Sequence, residues 1–251
     1  MEEKHEKISG SDVKLNFRLP EKLDNFWYHY KWHTIASLIG IFILTVLILQ
    51  TCSRKPIDAY ILYAGPYEIR HTASGGDLSP YIATTSALKR VSEDFDDNGT
   101  VNVSLLNLFV INSKEASELV TPESGLEVNY ALVQEDTKRL EQTLMFGEYY
   151  VCLLSERLFL EYEKETEGAL FAPLEGYTKE GGEYEYASAR GIYLHSLPYS
   201  ELPYISSFPE DTVLCLRRLS EVSSHFGKKE NEELFRRGEI ITSAILSYGI
   251  E

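Results

Sequence analysis

The chain has 251 residues, with 39 acidic against 24 basic side chains, a net charge of −15 with His neutral, and three cysteines. An acidic surface of this size is repelled by phosphate backbones, which excludes nucleic acid as a partner. Three cysteines exclude a disulfide scaffold, and no CxxC pair or Cys/His cluster suggests zinc. The charge is uneven. Up to Lys31 six basic and six acidic residues cancel, whereas from Ile57 onward 16 basic face 33 acidic ones.

Residues 1–25 are polar and of mixed charge, without periodic apolar positions, and read as a flexible cytoplasmic tail. The next block, 26–53, changes character. Phe26, Trp27, Tyr28, Tyr30 and Trp32 form an aromatic belt, and no charge occurs over the 22 positions from Trp32 to Ser53. At about 1.5 Å per residue such a helix crosses a hydrocarbon core of about 30 Å. The long polar preface and the absence of an A-x-A-like site argue against a cleaved signal. Leu49-Gln50-Thr51-Cys52 resembles a lipobox only loosely, since Gln50 and Thr51 replace small residues, so Cys52 is an unfavoured lipidation site. The expected element is therefore a retained signal anchor. Flanking charges are balanced, with Arg18, Lys22 and Lys31 before the span and Arg54, Lys55 and Arg70 after it. The short tail and long downstream domain favour an inside N terminus and an outside C terminus.

From 57 to 251 strands and helices alternate. IDAYILYAG reads as a strand ending at Gly65-Pro66, and Asp77 is placed to cap a helix through LSPYIATTSALKRVSEDF. VNVSLLNLFVI is a second strand, followed by a loop with Pro122 and Gly125. VQEDTKRLEQTLMFGE carries Val133, Leu140, Leu144 and Met145 near one helical face and stops at Gly147. YYVCLLS is a third strand, ERLFLEYEKE a short helix, and GALFAPLEGY an extended stretch. YASARGIYLHSL and DTVLCLRR read as strands, and NEELFRRGEIITSAILSY closes the chain as a helix. The pattern predicts an α/β domain with a mostly parallel sheet and helices on both faces.

The order of a helix, Gly147-Glu148, the strand YYVCLLS, a helix with Leu158 and Phe159, then Gly168-Ala169-Leu170 and Pro173-Leu174 resembles a recurrent stretch of extracellular solute-binding proteins. The match covers about 40 residues, and its Gly-to-Pro phrase is one residue longer than the family's. The layout of an aromatic YHYKWH entry, one span and an α/β ectodomain is similar to small, uncharacterised membrane-anchored proteins of Gram-positive bacteria. The resemblance implies a periplasmic-binding-protein-like fold in a single-lobe or reduced form.

Ligands in open α/β sheets favour the carboxyl ends of the strands. Tyr63, Gly65, Pro66 and Tyr67 follow the first strand, Asn112 and Ser113 the second, and Ser155 and Glu156 the third. These eight are the ligand-cleft candidates. Asp94, Asp96 and Asn98, with Gly99 next, fit the start of a calcium loop, with oxygens at alternate positions. The twelfth position is Leu105 instead of Glu, so a further carboxylate would have to come from elsewhere, and the same residues fit a plain turn. Cys152 and Cys215 lie in apolar runs as buried thiols, bridged only if their strands are neighbours. No nucleophilic elbow, P-loop, HExxH or dinucleotide fingerprint is present.

The expected protein is a single-pass membrane protein holding an acidic α/β domain outside the cell, with a non-catalytic binding or interaction function and no cofactor. Its partners would be the lipid bilayer and a small molecule or membrane protein. The alternatives are a structural partner in the assembly of a membrane complex and, behind it, a surface hydrolase.

Overall fold

The computed structural model describes residues 21–52, 56–67, 69, 79–119, 128–220 and 227–250. The chain divides into two units, Met1–Arg54 and Lys55–Glu251. In the first, helix α1 spans Glu21–Cys52. Its segment Tyr30–Leu49, with mean hydropathy 2.2, is long and apolar enough to cross a membrane. Thr34 and Thr45 turn their hydroxyls back onto the carbonyls of Tyr30 and Ile41, at 3.0 and 2.8 Å, so neither presents an unpaired donor. The side chain of Cys52 lies outside the described residues, as do Asp77, Pro122 and Gly125.

The second unit is one six-stranded sheet with helices on both faces. Its elements are β1 (Ala59–Gly65), α2 (Ser79–Lys89), β2 (Val103–Phe109), α3 (Ser113–Leu119), α4 (Tyr130–Phe146), β3 (Val151–Ser155) and α5 (Glu156–Glu165). They continue with β4 (Tyr186–Ser188), β5 (Gly191–Tyr193), β6 (Thr212–Leu216) and α6 (Lys228–Leu246). The strand order is β2-β1-β3-β6-β5-β4. β1 is parallel to β2, with Ala59 beside Val103, and to β3, with Ile61 beside Val151.

The central strands are apolar throughout because both faces are covered. Ile61, Tyr63, Val151, Leu153, Leu214 and Leu216 point to a layer that contains Ala87 and Leu88 of α2 and Ile241, Ile245 and Leu246 of α6. Leu62, Ala64, Cys152, Leu154, Val213 and Cys215 point to the opposite layer, filled by Leu140 and Leu144 of α4 and Leu158 and Phe159 of α5. Asn129 caps α4, its side-chain oxygen accepting from the N–H groups of Ala131 and Leu132.

The expectation of a mostly parallel sheet is corrected here: the sheet is mixed. β6 runs antiparallel to β3, and β5 antiparallel to β6 and β4. YASARGIYLHSL is a hairpin rather than one strand, and its turn, Ala189-Arg190, carries none of the residues that usually mark one. After β5 the chain turns through two short 3-10 segments, Leu194–Ser196 and Pro198–Glu201, on the edge where β5 ends. It therefore re-enters the sheet in the opposite direction and inserts β6 between β5 and β3. Helix α3 stands where the sequence pattern predicts the start of a loop.

Candidate functional site

β1 connects to β2 on one side of itself, and β2 then crosses over to β3 on the other side. The connections therefore diverge between β1 and β3, and a crevice opens at such a switch point beyond the strand ends. Gly65 and Ser155 end those two strands. A Cβ on Gly65 would lie 2.8 Å from the Tyr63 hydroxyl and 3.3 Å from the Ser155 Cβ, so only glycine lets the strands and the tyrosine ring close up.

The eight cleft candidates separate into two groups. Tyr63, Gly65 and Ser155 are buried. The Tyr63 hydroxyl accepts from the Tyr67 N–H at 3.2 Å, its ring packs on Phe208, and burial drives its pKa upward. Pro66 and Tyr67 are half-buried, and Tyr67 meets the Ser207 hydroxyl at 3.1 Å. Asn107 holds this turn in place, accepting from the Ile69 N–H at 2.9 Å and donating to the Tyr67 carbonyl at 3.3 Å. Asn112 is spent on α3. Its Oδ1 accepts from the N–H groups of Lys114 and Glu115, and Glu115 accepts from the Asn112 N–H at 2.7 Å, a capping box. Ser113 is exposed at the start of that helix.

Glu156 accepts from the Tyr193 hydroxyl at 2.7 Å. That hydrogen bond, with burial and nearby carboxylates, lifts the Tyr193 phenol to about 12. The neighbouring Arg157 reaches Glu115 through Nε at 2.8 Å and Nη2 at 3.0 Å, and Glu161 through Nη1 at 3.3 Å. Burial, then the charges of Glu115 and Glu156, raise the Asp211 pKa. Sequence reasoning missed Glu115, Arg157, Tyr193 and Asp211. Glu115 sits in a helix where a loop is expected, Tyr193 ends β5, which runs in the direction of β3, and Asp211 reaches this edge because β6 runs antiparallel to β3.

A groove of about 410 Å³ lies between α4 and α5. Its floor is Val110 and Ile111, just past β2, with Leu144, Leu158 and Leu170. Met145, Tyr162 and Thr166 also line it, and Glu141, Arg157, Glu161 and Glu165 bring its charges. It reaches the strand-end edge through Val110, Ile111 and Arg157, but includes none of the eight candidates. Asp136 pins α4 to the edge strand beside it, accepting from the Phe109 N–H at 2.8 Å. A second recess of about 280 Å³ is lined by His195, Ser200, Phe208 and Glu210. There His195 Nδ1 faces the Glu210 carbonyl at 2.7 Å and Nε2 faces the Glu185 carboxylate at 3.0 Å. Both partners are acceptors, so this arrangement favours the protonated ring. The single Ser200 hydroxyl proton faces the Leu197 carbonyl at 2.7 Å and the His195 carbonyl at 3.2 Å, so its contacts among the described residues are to carbonyls.

The Asp94 loop closes as the turn expected of it. Asp94 accepts from Asn98 at 3.2 Å and Gly99 at 2.6 Å, and Gly99 adopts φ +82. The N–H donors of Gly99 and Asn98, together with Asp96, outweigh the upward push of desolvation and lower the Asp94 pKa. The further carboxylate that the sequence lacked nearby is Asp58. Its oxygen lies within 4.8 Å of those of Asp94 and Asp96, a donor set of the hard-oxygen type that suits a divalent cation. Asp58 is also buried and already accepts from the N–H groups of Phe95 at 3.0 Å and Asn102 at 2.8 Å, which tie it to the loop.

No protein-family model, curated protein or solved structure matches this chain. The functional reading therefore stands on the site geometry.

Proposed function

We propose that this protein is a membrane-anchored, non-catalytic binding module whose ligand surface is the groove between α4 and α5. The carrying observation is the groove itself: about 410 Å³, apolar on its floor and charged on its rim, opening beside the carboxyl ends of the parallel strands. The polar groups of the groove and of the second recess favour binding over catalysis. Arg157 is engaged by two carboxylates, both nitrogens of the His195 ring face acceptors, and Ser200 faces carbonyls.

In this proposal α1 anchors the chain, with the N terminus inside and the domain outside. The short tail and the long domain support that direction. The domain would act as one lobe of a solute-binding-like protein, supported by the stretch from Gly147 to Leu174.

Two measurements test it. Protease added to intact cells should remove the region after Arg54, and full protection would refute the outward orientation. Met1 and Met145 are the two methionines of the chain, and Met145 lines the groove. Methyl-labelled methionine therefore gives one NMR reporter of occupancy. A library of small amphipathic compounds should shift the Met145 resonance, and a library that leaves it unmoved would sink the binding reading.

A further inference from the structure

The groove carries more acid than its bound arginine neutralises. Glu141 projects from α4, and Glu161 and Glu165 stand one turn apart on α5. Like charges at this i,i+4 spacing repel, so the arrangement is slightly unfavourable by itself and is relieved by a cation. Among the described residues Arg157 is the one cation lining the groove, and it is committed to Glu115 and Glu161. Glu141 and Glu165 form no ion pair among the described residues. An anionic ligand would therefore find, among the described residues, no free positive partner and three carboxylates.

Tyr162 registers the same field. Burial first, then the charges of Glu141, Glu161 and Glu165, push its phenol to about 12. Its ring also offers a π surface on which a cation can lie. Beneath these groups Leu144, Leu158 and Leu170 form a floor that rewards apolar contact. The acidic balance of the domain, 33 carboxylates against 16 basic groups from Ile57 onward, draws cations toward it.

We propose that the α4–α5 groove binds a small organic cation, an alkyl or aryl ammonium compound. Its apolar body lies on Leu144, Leu158 and Leu170, and its positive head sits among Glu141, Glu161 and Glu165. The groove volume of about 410 Å³ lies in the range of small-molecule sites. This inference rests on the groove being the ligand surface. Partly exposed charge pairs are individually weak, so the preference for a cation over a neutral ligand of the same shape is expected to be roughly tenfold.

The test uses the full chain in phosphatidylcholine nanodiscs, with methyl-labelled methionine and three probes sharing one apolar body: phenylbutylammonium, phenylbutanol and phenylbutyrate. Titrations are corrected for partition into the bilayer. Phenylbutylammonium should shift Met145 at about one tenth of the concentration phenylbutanol needs, with phenylbutyrate weakest. Added salt should narrow the difference. The double variant Glu161→Gln, Glu165→Gln should bring the ammonium down to the alcohol and leave the alcohol unchanged. Equal binding of ammonium and alcohol to the wild type would overturn the cation inference and leave the groove standing. Failure of all three probes to move Met145 would overturn the groove itself.

Discussion

The Arg217 guanidinium reaches back across the sheet to the carbonyl of Gly147, the residue that ends α4. It also donates to the Tyr149 carbonyl at 3.0 Å and the Leu144 carbonyl at 3.2 Å, and lies 4.3 Å from the centre of the Tyr150 ring. The side chain is fully buried, and no carboxylate pairs with it among the described residues. Its counter-charge is the negative end of a helix, supplied by carbonyls that would otherwise lack donors.

Replacing Arg217 should therefore cost far more than a surface charge. Arg217→Met leaves several carbonyls at the α4 terminus without donors, and roughly 3–5 kcal/mol of stability should be lost. Arg217→Lys keeps the charge but not the fork, and should fall between the two. Urea titration followed by circular dichroism measures both. An unchanged midpoint for Arg217→Met would show that the cap is dispensable.

His195 joins the segment before β4 to the turn before β6 through Glu185 and Glu210. Burial pulls its pKa down, but hydrogen bonds to the Glu210 carbonyl and to Glu185 prevail and raise it above 6.5. A raised folded value stabilises the fold fully below the unfolded pKa, and the gain disappears as pH climbs through the folded value. The stability difference between wild type and His195→Gln should thus be largest in mildly acidic buffer and shrink above neutrality. Denaturation across that pH series reads it, and a difference growing with pH would reverse the assignment.

Cys152 and Cys215 face each other in the β3–β6 register, and both are free thiols at the centre of the sheet. Burial, aided by the hydrogen bond and charge of Cys152, pushes the Cys215 pKa well up, so its thiolate is scarce. In native buffer both should resist a thiol reagent and react together only after denaturation. Rapid modification of either in the folded protein would contradict their burial.

Asp58 ties the start of β1 to the Asp94 loop through the N–H groups of Phe95 and Asn102. Asp58→Ala leaves two amides without acceptors and should cost about 2 kcal/mol or more. The structural role requires the same loss in EDTA and in millimolar calcium. A calcium-dependent rise in Tm confined to the wild type would instead assign Asp58, Asp94 and Asp96 to a cation.

Much of the domain is written locally. ERLFLEYEKE folds as α5 over the residues its pattern indicates, and the three apolar runs became β1, β2 and β3. The uncharged run of α1 needs only its own composition to be long and apolar enough for a membrane. These features are legible because residues close in sequence settle hydrophobic periodicity and helix ends.

Strand direction is a different kind of fact. Whether β6 runs with β3 or against it depends on the edge from which the chain returns after β5, about twenty residues earlier, and no local pattern records that. The groove is likewise a product of packing, since α4 and α5 come together over Val110 and Ile111 only in three dimensions. Asp58 and Asp94 lie 36 positions apart in sequence, yet their oxygens meet within 4.8 Å. The sequence by itself determined a helix long and apolar enough to cross a membrane, the acidity and the α/β alternation. Tertiary structure decided which carboxylates gather, which of the expected cleft residues are sealed in the core, and where space remains for a ligand. Those depend on contacts between distant segments, which form only when the sheet closes its order.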